Sequence, residues 1–404
     1  MNPRLLVTTL VCSFAAGGCS SSDSSSGGDP AVDSDVPATD SGSASDTRGS
    51  ETATADGGLD APSKGDAPGD TVADATDAGT DGATSDAPGD ADAGSGAVTR
   101  PTYNTGKGFF VRDGKLYDPK GVEFRIRGVN KLHWDADSPG LPKTHANTER
   151  WVMDFKQPTA TNLALMKKTV DAKIVPMPGN WDGTCKEDTA TLNGIVDTWV
   201  AQASAWKTYD ASMILNIANE WGPSGVVWRD TYIAAIKRLR DAGYLATISI
   251  TSGGCGQDND DLVNYAKAVF DSDPQKNVIF DQHIYGNWAN GGGATWQIDL
   301  KTALDKLKAL NLPIIVGEFG PGRDIGPSPT KITPTDVMKE CEARNIGWMA
   351  WAWDDPASGA DDAWFALSHE GKYDSSADLT IFGKAVVEDA TYGLLKLAKP
   401  ATGI

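Results

Sequence analysis

Apolar residues beyond about position 120 gather into short runs that punctuate longer, mixed segments. Eight runs have strand length and strand composition: FRIRGVN (124–130), NTERWVMDF (147–155), AKIVPMP (172–178), MILNIAN (213–219), ATISITS (246–252), NVIFDQHIY (277–285), LPIIVGE (312–318) and IGWMAWAW (346–353). Runs that are apolar on both faces belong to parallel sheets covered by helices. The intervening segments carry helical periodicity. In ATNLALMKKTVDA, Leu163, Met166 and Val170 make one stripe; in WRDTYIAAIKRLRDAGY, Trp228, Tyr232, Ile236 and Leu239 make another, with Gly243 placed to stop the helix. DDLVNYAKAVF and LKTALDKLKAL continue the alternation. Ahead of the first run, GFFVRDGKLYDPKG reads as a β-hairpin with Asp-Gly and Asp-Pro-Lys-Gly turns. Eight strand–helix repeats over about 300 residues predict an α/β fold, a (β/α)8 TIM barrel with an N-terminal hairpin.

Two runs end unexpectedly. MILNIA leads into Asn219 and Glu220, and LPIIVG into Glu318. Active sites of such barrels lie at the C-terminal ends of the strands, so the fourth and seventh strands would aim two carboxylates at each other across the mouth. One such group could be an ion-pair partner; two point to a site. Opposed carboxylates are the requirement of glycoside hydrolysis, in which a protonated one assists the leaving oxygen and an ionised one attacks carbon or activates water.

Composition changes the picture before residue 100. Residues 1–19, MNPRLLVTTLVCSFAAGGC, run from one Arg through an apolar stretch to small residues and Cys19. That is the layout of a secretory signal, too short for a mature membrane span. Ala16-Gly17-Gly18-Cys19 resembles a bacterial lipobox, which implies acylation of Cys19 and attachment to a membrane; ordinary cleavage and release is the alternative. Residues 20–99 contain no aromatic residue, and seventeen acidic side chains face two basic ones, a net of −15. Such a segment cannot bury enough apolar surface to offset its ordering entropy and is expected to be a disordered acidic stalk. The expected organisation is therefore signal (1–19), linker (20–99) and catalytic domain (100–404). The protein would be exported, to the cell surface or outer membrane or else to the medium. The domain keeps only −5 of the chain's −19, so no charge pattern favours nucleic acid.

His133, His145, His283 and His369 are scattered, and no cysteine spacing resembles a metal site. With no phosphate loop and no dinucleotide fingerprint, the expectation is a monomer that uses neither metal nor cofactor. Cys185 and Cys255 fall just past strand ends, where a disulfide is one option and free thiols the other.

NIANE, DQHIYG, VGEFG and GWMAWAW, with RGVNKLHW upstream, resemble glycoside hydrolase family 5, the cellulase and mannanase family. GFFVRDGKLYDPKGVEFRIRGVN, KAVFDSDPQKNVIFDQHIYG and LTIFGKAVVEDATYG are most similar to its bacterial endo-β-1,4-mannanase branch, over residues 107–395. The resemblance implies a retaining enzyme with Glu220 as acid/base and Glu318 as nucleophile. It implies that Asn219 bonds the sugar 2-hydroxyl and Arg150 keeps the nucleophile ionised. His283 and Tyr285 would line the reacting subsite, with Tyr285 bonded to the nucleophile. Trp351 would be the stacking platform, and His133 and Trp134 would line the mouth. One departure concerns substrate. The branch carries His-Asp after the third strand, whereas PGNWDGT puts Trp181 beside Asp182. β-Mannan is the first expectation and cellulose or another β-glucan the second. A non-catalytic carbohydrate-binding lipoprotein is the alternative of another class. Trp134, Trp181 and Trp288 are candidate sugar platforms, and Trp348 and Trp353 candidate core.

Overall fold

The computed structural model describes residues 96–404 apart from 133–137, 154, 157–158, 290–296, 322–331 and 355–364. The expected signal with Cys19, the expected stalk up to residue 95, and the mouth residues His133 and Trp134 lie outside the described residues. Residues 96–99, expected to end the stalk, belong instead to the fold: Val98 N–H donates to Gly121 O at 2.9 Å, and Thr99 O accepts from Arg112 at 3.0 Å. A hairpin opens the fold: β1 (Phe110–Arg112) pairs antiparallel with β2 (Lys115–Tyr117). Eight parallel strands then close a barrel: β3 (Arg127–Leu132), β4 (Thr148–Met153), β5 (Val175–Asn180), β6 (Ile214–Asn216), β7 (Thr247–Thr251), β8 (Val278–Ile284), β11 (Ile314–Phe319) and β12 (Gly347–Ala350). A short parallel pair, β9 (Trp288–Ala289) and β10 (Ile298–Asp299), follows β8. The helices are α1 (Thr159–Asp171), α2 (Thr189–Ala201), α3 (Ala203–Trp206), α4 (Val226–Asp241), α5 (Asn259–Ser272), α6 (Leu300–Ala309), α7 (Pro334–Ala343), α8 (Ile381–Val387) and α9 (Leu394–Leu397).

All eight expected strands are present, in order. The barrel interior is stratified. Val175, Met177, Ile214, Ile279, Ile315 and Met349 fill its lower end, and the hairpin's Phe109, Val111 and Leu116 pack against them as a plug. Alternation along a strand then makes the next inward positions polar: Asn130, Arg150, Asn216 and Asp281 are all fully buried. An apolar floor thus carries a charged layer at the strand ends.

Between strands and helices lies the main core, rich in tryptophan. Trp199, Trp206, Trp221, Trp228, Trp288, Trp348 and Trp353 are essentially inaccessible. Each such ring removes roughly 150–250 Å² from water, or about 4–6 kcal/mol at ~25 cal/mol/Å². Two indoles also tie helices to the active end: Trp199 of α2 donates to Ile217 O (2.9 Å) and Trp228 of α4 to Thr251 O (3.0 Å). The expected α4 stripe is buried in full, and Gly243 follows the helix in the left-handed region at φ 88°. The α1 stripe is rotated: Asn162, Met166 and Thr169 are buried, while Leu163 and Val170 are only half-buried. The turn brings Thr169 Oγ1 to Glu149 Oε2 at 2.9 Å, a buried polar contact that competes with the apolar face.

Candidate active site

β6 ends at Asn216, earlier than its apolar run suggests, and the chain leaves the ladder before Glu220, which sits in the left-handed region at φ 47°. That conformation is uncommon for a residue with a Cβ. It turns the carboxylate back over the mouth, where it is 8% exposed. Glu318 lies within β11 just past an irregularity in register between Val316 and Glu318. Gly317 occupies the irregularity because nothing larger fits: a Cβ there would stand 1.9 Å from Asp281 Oδ1. One carboxylate oxygen of Glu220 and one of Glu318 lie within 4.8 Å of each other, with a nitrogen of His283 inside the same radius.

Each oxygen of Glu318 has its own donor. Arg150 Nη1 bonds Oε1 at 2.7 Å and Tyr285 OH bonds Oε2 at 2.8 Å. Arg150 is itself fixed on every side: Nη1 donates to Asn130 Oδ1 (2.9 Å), Nε and Nη2 to Asn216 Oδ1 (3.3 and 3.2 Å), and Nη2 also to Asn219 Oδ1. Asn219 Nδ2 donates one hydrogen to Thr184 Oγ1 at 2.9 Å. His283 Nδ1 meets Glu220 Oε1 at 2.8 Å and Glu318 Oε2 at 3.4 Å, and its Nε2 faces Asp281 Oδ2 at 3.6 Å.

Burial alone would lower the basicity of the His283 imidazole, but the Glu318 and Asp281 carboxylates and the bond to Glu220 outweigh it, and its pKa is pushed up to about 10. With a proton on each ring nitrogen, His283 is a double donor between the Glu220 and Asp281 carboxylates. Burial and the adjacent Glu220 raise the Glu318 carboxyl above its ordinary value, while His283, Arg150 and Tyr285 pull it down. Burial and Glu318 push the Tyr285 phenol well above its usual range, so it stays a donor.

The aromatic wall is assembled from distant segments. Trp351 and Trp181 stack with centroids 6.0 Å apart at 23°, and Phe365 packs edge-on against Tyr285 at 6.0 Å. Trp351, Tyr285, Trp181 and Phe365 form one cluster with Val152 and Ala352, separate from the main core. Asp182 is exposed beside Trp181, and its side chain has no hydrogen bond to the carboxylate cluster among the described residues. Trp288 corrects an expectation. It is 1% exposed inside the main core, because β9 carries it beneath the surface rather than into a loop. Trp348 and Trp353 are core, as expected.

The profile of Cellulase (glycosyl hydrolase family 5) matches residues 148–356. The chain belongs to glycosyl hydrolase family 5. Its similarity to a mannan endo-1,4-beta-mannosidase of Salipaludibacillus agaradhaerens is 30% identity over 73% of this chain and 95% of that protein. A mannan endo-1,4-beta-mannosidase of Cellvibrio japonicus is 27% identical over 73% of this chain and 69% of its own. A mannohexaose complex of the Thermomonospora fusca β-mannanase superposes with TM-score 0.61 at 26% identity, covering 73% of this chain and 98% of that one. Like the rest of its family, the protein is a glycoside hydrolase.

Arg150, Asn219, Glu220, His283, Tyr285, Glu318, Trp181 and Trp351 thus converge on one mouth of this family 5 enzyme. Sequence reading passed over Asn130, Asn216, Asp281, Gly317 and Phe365. Asn216 and Asp281 did leave a signal, as polar residues inside otherwise apolar strand runs. Phe365 left none, since its place depends on how the chain returns after β12.

Proposed function

We propose that the protein is a retaining endo-β-1,4-mannanase. Glu220 protonates the glycosidic oxygen while Glu318 attacks the anomeric carbon; the C1–O bond breaks as the bond to Glu318 forms. Water then hydrolyses the glycosyl-enzyme, with Glu220 taking its proton. The observation that carries this reading is the spacing and wiring of the two carboxylates. Oxygens within 4.8 Å leave no room for a water between Glu318 and the anomeric carbon, which favours the retaining route over the inverting one. The donors from Arg150 and Tyr285 suit a carboxylate that must leave the sugar again. Asn219 keeps a second amide hydrogen for the 2-hydroxyl, and the Trp181–Trp351 pair offers a flat surface to the C–H face of a pyranose.

Mannan as substrate rests on the mannanases to which the chain is similar over most of its length. Trp181 is the residue that keeps a β-1,4-glucan in play as a second reading. A binding protein without activity is a poorer fit, since a binder needs no proton donor facing a nucleophile. We also place the enzyme outside the cytoplasm, held by acylated Cys19; fatty-acid labelling lost in Cys19→Ala would support this, and labelling retained would refute it.

The test is reducing-sugar release from β-mannan, glucomannan and a soluble cellulose, beside Glu318→Gln. Release from mannan, abolished in a natively folded Glu318→Gln, is expected. A variant retaining near-native rate would sink the nucleophile assignment, and release from cellulose alone would move the substrate to glucan.

A further inference from the structure

Cys185 and Cys255 form a disulfide that joins the loop after β5 to the loop after β7, with Cα atoms 4.4 Å apart across 70 residues of chain. β6 lies between those strands, and the bridge passes over the turn that carries Glu220. Both sulfurs stand 3.6 Å from Glu220 Oε2. The loops are tied to the same turn through backbone: Cys185 N–H donates to Glu220 O (3.2 Å) and Gly254 N–H to Gly222 O (3.1 Å). His283 N–H donates to Gly256 O at 2.8 Å, so the second loop also holds the histidine. Cys185, Glu220 and Cys255 all occupy the left-handed region, at φ 53°, 47° and 57°. Three such residues side by side mark a place where the surrounding structure dictates backbone conformation.

The two oxygens of Glu220 therefore meet different surroundings. Oε1 accepts from His283 Nδ1, whose ring is a double donor. Oε2 faces two sulfurs that, once bonded to each other, carry no hydrogen. Other charged or titratable groups around Glu220 are Glu318 on β11, Tyr285 after β8 and, through Glu318, Arg150 on β4.

We infer that the Cys185–Cys255 disulfide is a positioning element for the acid/base. It walls Oε2 with atoms that donate no hydrogen, so the transferable proton rests on that oxygen and points at the leaving oxygen of the substrate. This rests on Glu220 being the acid/base. In the first half-reaction the Oε2–H bond breaks and the proton goes to the glycosidic oxygen as C1–O cleaves; in the second, water returns a proton to Oε2. Reduction by a phosphine, which takes the oxygen of one water and leaves two S–H groups, puts two donors against Oε2. These stabilise its ionised form and make the proton harder to hold at the pH of turnover.

The experiment compares oxidised and phosphine-reduced enzyme on β-mannan and on a 2,4-dinitrophenyl β-mannobioside, whose leaving group needs little protonation. Peptide mapping without reductant must first find 185 joined to 255; unlinked cysteines would overturn the inference. On reduction, kcat/KM on mannan should fall at least tenfold further than on the aryl substrate, and the alkaline limb of its pH profile should move down by about one unit. Equal losses on both substrates with the limb in place would make the bridge a structural clasp and overturn the inference. Cys185→Ala/Cys255→Ala should show the same split between substrates without the shifted limb, since it removes the wall but adds no donor. Wild-type reduction provides the answer where that variant does not fold. Glu220→Ala separates the two readings: if it too loses equally on both substrates, the acid/base assignment fails rather than the role of the bridge.

Discussion

Asp281 Oδ2 lies 3.6 Å from Nε2 of His283, on the side of the ring away from Glu220. Asp281 is fully buried, and neither of its oxygens has a hydrogen-bond donor among the described residues. An uncompensated buried carboxylate is costly, and the imidazolium is the compensation the geometry offers. Glu318, Asp281, Arg150 and His283 then sum to zero charge once Glu220 holds its proton. A neutral buried cluster is the state that must meet substrate.

Asp281→Asn should accordingly discharge His283. The imidazolium lowers the Glu318 carboxyl's affinity for protons, so its loss raises that affinity and moves the acidic limb of kcat/KM to higher pH, by up to about one unit. At the acidic end the rate should drop about tenfold. Nitrogen NMR of His283 provides the second reading: both ring nitrogens protonated at pH 8 in wild type, one in the variant. A neutral His283 in the wild type at that pH would refute the charge pairing.

Gly317→Ala tests the same cluster from behind. Its Cβ would overlap the Asp281 carboxylate at 1.9 Å, and Asn130 Nδ2 holds the Gly317 carbonyl at 2.8 Å, so the strand cannot simply slide away. Overpacking of this kind costs about 1–3 kcal/mol. Calorimetry should find a Tm lowered by several degrees, together with a loss of kcat because Glu318 is the next residue. An unchanged Tm would mean that Asp281 is free to move.

Trp181→Ala removes one half of the stacked pair and leaves the carboxylates untouched. KM for β-mannan should rise about tenfold, the size of one aromatic contact, with kcat little changed. If the ratio of mannan to cellulose hydrolysis also shifts, Trp181 sets substrate choice; a KM within twofold of wild type would remove it from the binding surface.

The barrel was legible because its strands are apolar on both faces and short, and because Glu220 and Glu318 interrupt that pattern at the end where loops build sites. Arg150, His283 and Tyr285 were legible through motif. What stayed hidden depends on closure in three dimensions. Nothing along the chain says that Asp281 reaches the far nitrogen of His283, or that Gly317 makes room for it. Trp288 misled because polar neighbours in sequence, Asn287 and Asn290, surround a ring that a two-residue strand takes into the core. The disulfide was undetermined for the same reason, since the two loops meet only when β5, β6 and β7 lie side by side.

Folding stability should decline as the solution becomes alkaline, and the sign follows from His283. Its folded pKa of about 10 lies above the ordinary value of 6.5, so the folded state binds the proton more tightly than the unfolded chain. The resulting stabilisation is complete below about pH 6.5 and is lost progressively as pH rises towards 10. Glu318, whose affinity for protons is also raised, acts in the same direction at lower pH: its contribution is present in acid and lost as pH climbs through its folded value. At about 1.4 kcal/mol per pH unit the histidine alone is worth a few kcal/mol across this window. Denaturant titrations at pH 6.5, 8 and 9.5 should therefore give a falling free energy of unfolding, and Asp281→Asn should flatten the fall. A wild-type curve that is level over that range would mean that His283 is neutral in the fold, and with it the charge pairing beneath the active site would be lost.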